Sequence, residues 1–127
     1  MKKYFADTNI FLRFLLKDNH KLHQKAEKYL LQAKKGEIKI TLLPEVVFEI
    51  DYVLRGIYAT TRQETAHILA SLIKASELDV RERGILIEAL EKYKKINVDL
   101  FDIYLAQKAK AEKAEILSFD KDFNKLK

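Results

Sequence analysis

The stretch MKKYFADTNIFLRFLL, residues 1–16, places a short polar interruption between two apolar runs. An apolar tip at residues 4–6 leads directly into Asp7, and a longer apolar run covers residues 10–16. A short strand over 2–6 that ends at Asp7, followed by a helix over 8–17, accounts for this pattern. The Asp7 carboxylate then lies at the carboxyl end of a strand, where open α/β sheets place their functional groups.

The remaining chain continues to alternate between strand and helix patterns. It has 127 residues with only three glycines and one proline, so we expect one domain over 1–127 without a flexible linker. Further helices are predicted over 20–34, 44–57, 61–75, 82–95 and 100–113, and further strands over 37–43, 77–80 and 115–119. Strands that alternate with helices predict an α/β fold with a parallel sheet covered on both faces.

Composition excludes several classes of protein. The chain has no cysteine, which excludes disulfides and thiolate metal sites and suits a reducing compartment. Asp7, Asn9 and Arg13 interrupt the N-terminal apolar run, so it is neither a signal peptide nor a membrane span. We therefore expect a cytoplasmic protein. The net charge of +5 favours a polyanionic partner, although a lysine-rich solvated surface explains it equally well.

Acidic residues follow most of the predicted strands. These residues are Asp7 after the first strand, Glu45 and Glu49 after the second, Asp99 and Asp102 after a brief apolar element at 96–98, and Asp120 and Asp122 after the last. Each has an ordinary alternative role, as a helix cap, as a first-turn acid or in a surface turn. Together they are predicted to reach the same edge of the sheet.

Glu49 is the acid whose position on its helix is least ordinary. It lies roughly 100° from the centre of the apolar stripe of the 44–57 helix, between Val46 and Val53. We expect its carboxylate to be partly desolvated, which is costly without compensation. Asp51 flanks the other side of the same stripe, but nothing in the sequence links it to a strand end.

A cluster of acids favours a bound cation. Two carboxylates about 4 Å apart repel by about 4 kcal/mol at an effective dielectric constant of about 20, and a hard divalent ion relieves that repulsion. Because there is no cysteine and the histidines lie elsewhere in the sequence, the expected ion is Mg²⁺ or Mn²⁺ rather than Zn²⁺. His20 and His23, three residues apart, are better explained by a surface helix. Metal-dependent phosphodiester chemistry suits an acidic pocket in a basic protein.

Four stretches of the chain carry a family resemblance. They are FADTNIFLRFLL (5–16), LPEVVFEIDYVLR (43–55), VDLFDIYLAQKA (98–109) and ILSFDKDFNKL (116–126). In these stretches the chain resembles PIN-domain ribonucleases, most closely the VapC-like toxins of prokaryotic toxin–antitoxin pairs. The resemblance implies a helix-rich, three-layer α/β/α sandwich with a small central parallel sheet. It also implies a catalytic and metal-binding set of Asp7, Glu49, Asp102 and Asp120, supported by Thr8, Asn9, Asp99, Ser118 and Asp122.

The same resemblance implies a function and partners. It implies an endoribonuclease that uses Mg²⁺ or Mn²⁺, with Arg13 and Arg55 near the phosphates of the RNA substrate. It further implies a homodimer silenced by a VapB-like antitoxin. Two alternatives stay open, a catalytically silent RNA-binding or interaction domain and a phosphatase of the haloacid-dehalogenase type. Asn9 disfavours the phosphatase, because that family usually has a second Asp at this position.

Overall fold

The structure is a computed structural model that describes every residue from Met1 to Lys127. Nine regular elements precede a terminal 3₁₀ helix. In chain order they are β1 (Lys2–Phe5), α1 (Thr8–Leu16), α2 (His20–Lys34), β2 (Ile38–Leu42), α3 (Pro44–Gly56), α4 (Arg62–Ile73), β3 (Asp79–Val80), α5 (Arg83–Tyr93), α6 (Leu100–Ala111) and the 3₁₀ helix (Lys121–Leu126).

The sheet is small and entirely parallel. Its strand order is β1-β2-β3, with Tyr4 opposite Ile40 and Leu42 opposite Val80. Ile40 and Leu42 are buried in the central strand, as expected for a parallel strand covered by helices. The predicted helix-rich α/β fold around a small parallel sheet is confirmed.

Helix α3 shows why the sequence folds this way beside the sheet. Pro44 occupies its first turn, where the missing N–H is not needed and the fixed φ favours the helix. Val47, Ile50 and Leu54 of its apolar stripe are fully buried. Burying each of these side chains contributes about 1.5–3 kcal/mol, so the stripe fixes which side of α3 faces solvent.

The predicted strand over 115–119 is wrong. Residues 114–118 have no regular structure and pair with no other strand. The chain leaves α6 through Lys113, whose φ of 57° is left-handed, and the 3₁₀ helix then packs against α6. Leu117 and Phe119 are fully exposed as a result. An alternating pattern makes a strand only where a sheet edge accepts it, and here the outer edge of β1 remains free.

A charged contact joins α6 to the start of α5. Glu82 accepts a hydrogen bond from Lys108 Nζ on one oxygen, and from the Tyr104 hydroxyl on the other at 2.6 Å. These two hydrogen bonds hold the pKa of the Glu82 carboxyl below its ordinary value. A lowered pKa stabilises the folded state above the unfolded pKa, and that stabilisation is lost as pH falls through the folded pKa.

We therefore expect Glu82→Gln to reduce stability mainly at neutral pH. The free energy of unfolding should fall by about 1 kcal/mol at pH 7, since the partners are partly exposed. The difference from wild type should shrink below about pH 4, where the carboxyl of the unfolded chain is protonated. Urea denaturation at pH 7 and pH 3 measures this. A difference that stays constant across both pH values would show that the charge of Glu82 contributes nothing.

Candidate functional site

Asp7 lies just beyond β1 and caps α1. Its Oδ1 accepts a hydrogen bond from the Ile10 N–H at 3.3 Å, and its side chain is exposed. Thr8 is 6% exposed, and its Oγ1 is buried without a hydrogen-bond partner. Asn9 is exposed in the first turn of α1. The capping role of Asp7 is real, but it uses one carboxylate oxygen and leaves the other available.

The start of α6 carries two acids that have no such capping role. Asp99 is the N-cap residue, yet its side chain makes no capping hydrogen bond. Asp102 lies in the first turn and is half-buried. Burial, followed by the charges of Asp99, Asp120 and Asp122, raises the pKa of the Asp102 carboxyl. Negative charge therefore accumulates around Asp102, which disfavours its ionised form.

The turn ahead of the 3₁₀ helix holds the third part of the acidic region. Asp120 Oδ1 accepts from the Asp122 N–H at 2.8 Å, and the Asp120 N–H donates to Ser118 Oγ at 3.0 Å. Ser118 thus orients the backbone at Asp120. Asp122 also forms an ion pair with Lys125 at 3.3 Å. The side chains of this turn stabilise it locally and keep both carboxylates close to Asp102.

The predicted partial burial of Glu49 is wrong. Glu49 is exposed, because its neighbours Val46 and Val53 are themselves only partly buried and leave that flank of α3 open. The adjacent Phe48 packs against Phe101 of α6, with ring centroids 5.3 Å apart. Since Glu49 and Asp102 each follow one of these two aromatic residues, the contact joins the two acid-bearing helices.

The structure brings together some of the predicted site residues and not others. The carboxylates acting on Asp102 are those of Asp99, Asp120 and Asp122, whereas Asp7 and Glu49 are outside this group. No three acidic or histidine side chains are close enough to hold one metal ion. The donors therefore fit a hard divalent ion in their chemistry, but their spacing does not form a complete ligand set. The unpaired segment 114–118 explains this, because no sheet contact holds Asp120 beside Asp7.

Sequence reasoning missed a buried polar network behind the acids. Tyr93, which is 0% exposed, donates its hydroxyl to Asp51 Oδ1 at 2.6 Å and accepts from Arg55 Nη1 at 2.9 Å. Burial raises the pKa of the Asp51 carboxyl, and burial together with the bond to Asp51 raises the pKa of Tyr93 to about 12. The position of Asp51 on the flank of the α3 stripe was the available signal.

The basic residues predicted near RNA already have partners. Arg13 pairs with Asp18 at 3.4 Å, and Arg55 donates to Tyr93 as described. His23 contacts the Arg13 carbonyl oxygen through Nδ1 at 3.1 Å and stacks on Phe14. These contacts give His23 a structural role, in agreement with the surface-helix interpretation.

Comparison with known proteins adds one positive finding. A family model described as the PIN domain matches residues 4–127. No curated protein and no solved structure matches the chain. None of the helices combines the length and the apolar character that crossing a membrane requires.

Proposed function

The chain belongs to the PIN-domain family, whose model matches residues 4–127, and from this premise we propose that it is a Mg²⁺- or Mn²⁺-dependent endoribonuclease. PIN domains are generally nucleases and typically use divalent metal ions. The observation that carries the proposal is the environment of Asp102, a half-buried carboxylate surrounded by three others in a protein of net charge +5. Such a concentration of like charge becomes favourable when a divalent cation occupies it.

Each acid has a defined role in this proposal. Asp7, Glu49, Asp102 and Asp120 would hold the ion through carboxylate oxygens, and Asp120 is oriented by Ser118. A bound divalent ion neutralises charge on the scissile phosphate and lowers the pKa of a coordinated water. The half-buried position of Asp102 limits its access to water, which strengthens its electrostatic interactions with charged ligands.

The remaining predicted residues support the same site. Thr8 Oγ1, which is buried without a partner, and Asn9 flank Asp7 at the start of α1. Asp99 and Asp122 add negative charge around Asp102. Arg13 is the better candidate for an RNA phosphate, since its guanidinium is exposed and its ion pair at 3.4 Å is long. Exposed ion pairs of this kind contribute little and are readily exchanged.

Cleavage of a labelled single-stranded RNA tests this function directly. We expect cleavage with millimolar Mg²⁺ or Mn²⁺, no cleavage with a chelator, and products that carry 5′-phosphate and 3′-hydroxyl ends. Glu49→Gln should slow the reaction, whereas Glu88→Gln, which removes an equally exposed helical charge on α5, should not. Chelator-resistant cleavage, or products ending in cyclic phosphates, would contradict the proposal.

A catalytically silent RNA-binding or interaction domain is the second candidate. It is favoured by the absence of any three side chains placed to hold a metal ion. In that case RNA would bind without being cut, and binding would be indifferent to Mn²⁺. The same cleavage assay, accompanied by a filter-binding measurement, separates the two functions.

We propose further that the nuclease is a VapC-like toxin that forms a homodimer and is silenced by a VapB-like antitoxin. Exposed apolar side chains on α3 and after α6, such as Tyr52, Ile57 and Phe119, support contact with protein partners. Light scattering tests the dimer, which should have twice the monomer mass of 14.9 kDa. A monomer at all concentrations would contradict it without affecting the nuclease proposal.

A further inference from the structure

Arg62 extends from a firmly capped helix end toward the junction of α5 and α6. Thr61 and Glu64 form a reciprocal capping box at the start of α4, which fixes the backbone of Arg62, the first residue of that helix. The Arg62 guanidinium lies 3.9 Å from the centroid of the Tyr93 ring. Its Nη2 donates a hydrogen bond to the backbone carbonyl oxygen of Val98.

The backbone at Val98 leads directly into the acid-bearing end of α6. Val98 is 2% exposed and immediately precedes Asp99, the N-cap residue of α6. Because the Asp99 side chain makes no capping hydrogen bond, α6 does not fix its own start. The only other bond at Val98 is a local one, from its N–H to the Ile96 carbonyl oxygen at 2.9 Å. Arg62 therefore supplies the contact from outside the α5–α6 connection.

Two further features distinguish this contact from ordinary packing. The charge of Asp99 acts on Arg62 as well as on Asp102, so Arg62 is a counter-charge at the edge of the acidic region. Arg62 Nε is buried without a hydrogen-bond partner. An unsatisfied buried donor is costly, and such costs are tolerated mainly where a functional arrangement requires them.

We propose that Arg62 is a positioning residue: clamped on Tyr93, it holds the Val98 carbonyl and thereby orients the first turn of α6, so that Asp102 binds the divalent ion. This inference rests on the proposed nuclease function. Residues that orient metal ligands from outside the coordination sphere typically change metal affinity or activity by 10–100-fold when replaced. Arg62 acts through backbone rather than by touching the ligand, so we expect the lower end of that range.

Arg83 offers a matched control in the same protein. It is likewise the first residue of a helix, α5, and its side chain donates to three backbone carbonyl oxygens, those of Ile73, Ala75 and Leu78, at 2.8–2.9 Å. Arg83 and Tyr93 lie at opposite ends of α5, about 15 Å apart along the helix axis. Replacing Arg83 removes a clamp of the same chemical kind without touching the start of α6.

The experiment compares wild type with Arg62→Met, Arg62→Lys and Arg83→Met. Three quantities are measured at a temperature where circular dichroism shows each protein folded. They are amide hydrogen exchange of a peptide that covers residues 99–103, Mn²⁺ affinity by titration calorimetry, and RNA cleavage as a function of RNA concentration. The exchange measurement needs neither metal nor RNA, so it tests the clamp independently of the nuclease function.

We expect Arg62→Met to accelerate exchange at 99–103, to weaken Mn²⁺ binding about tenfold and to lower kcat about tenfold with little change in KM. Arg62→Lys retains one donor and should be intermediate. Arg83→Met should lower the melting temperature but leave all three quantities at wild-type values.

Two results overturn the inference: unchanged exchange at 99–103 in both Arg62 variants, or wild-type Mn²⁺ affinity and kcat in Arg62→Met. If wild type binds no Mn²⁺ while exchange responds as expected, the clamp is structural only, and the nuclease proposal fails with the positioning role.

Discussion

Replacing Asp102 by Asn is expected to slow RNA cleavage by more than about a hundredfold, because it removes a carboxylate ligand and not merely a supporting contact. The same variant should melt about 2–5 °C higher than wild type in the absence of metal. The reason is the crowding of Asp102 by Asp99, Asp120 and Asp122, since an uncharged side chain of the same size relieves that repulsion.

The control for this prediction is Glu88→Gln, which removes one exposed charge from α5 and should change neither quantity. Initial cleavage rates and thermal unfolding curves, both with and without Mn²⁺, provide the measurements. A variant that cleaves at the wild-type rate would remove Asp102 from the catalytic set. Loss of activity together with a lowered melting temperature would instead point to a structural defect.

Replacing Tyr93 by Phe is expected to lower the free energy of unfolding by about 2–3 kcal/mol. The Tyr93 hydroxyl donates to Asp51 and accepts from Arg55, so its removal deprives a buried carboxylate of its hydrogen bond. Breaking a buried charged network by removing one member is strongly destabilising. The aromatic ring remains, so its contact with Arg62 is kept and Mn²⁺ affinity should be preserved.

Tyr104→Phe is the matched control for the Tyr93 variant. The Tyr104 hydroxyl also donates to a carboxylate, Glu82, at 2.6 Å, but Glu82 keeps its hydrogen bond from Lys108. The cost should therefore be about 1 kcal/mol or less. Urea denaturation at pH 7 compares the two. Equal losses in both variants would show that the network around Tyr93 has no special weight.

Much of the fold could be predicted because local signals agreed with the tertiary environment. Asp7 ends β1 and caps α1, Pro44 starts α3, and α2 has the predicted bounds of 20–34. In each case a helix cap, a fixed φ or a helical apolar period acts within a few residues. Such signals need no knowledge of what the element packs against.

The errors concern features that depend on distant parts of the chain. Residues 115–119 alternate like a strand, but whether they become one depends on the free edge of β1, which is far away in sequence. The exposure of Glu49 depends on how completely Val46 and Val53 are covered by other elements. The Asp51–Tyr93 bond joins α3 to α5, and a helical wheel of either helix alone contains no information about it.

The candidate site was therefore predictable in its residue types and only in part in its geometry. Asp99, Asp102, Asp120 and Asp122 do influence one another, as expected from acids that follow neighbouring elements. Asp7 and Glu49 are outside that group, so a complete ligand set is not formed. A bound cation is the missing partner in the electrostatic argument, since it reverses the repulsion that separates carboxylates.

Anomalous diffraction from crystals grown with Mn²⁺ tests this central claim most directly. The account predicts a Mn²⁺ peak within about 2.0–2.3 Å of carboxylate oxygens from Asp102 and at least two of Asp7, Glu49 and Asp120. No peak in this region, or a peak held by other residues while these four acids stay apart, would contradict it.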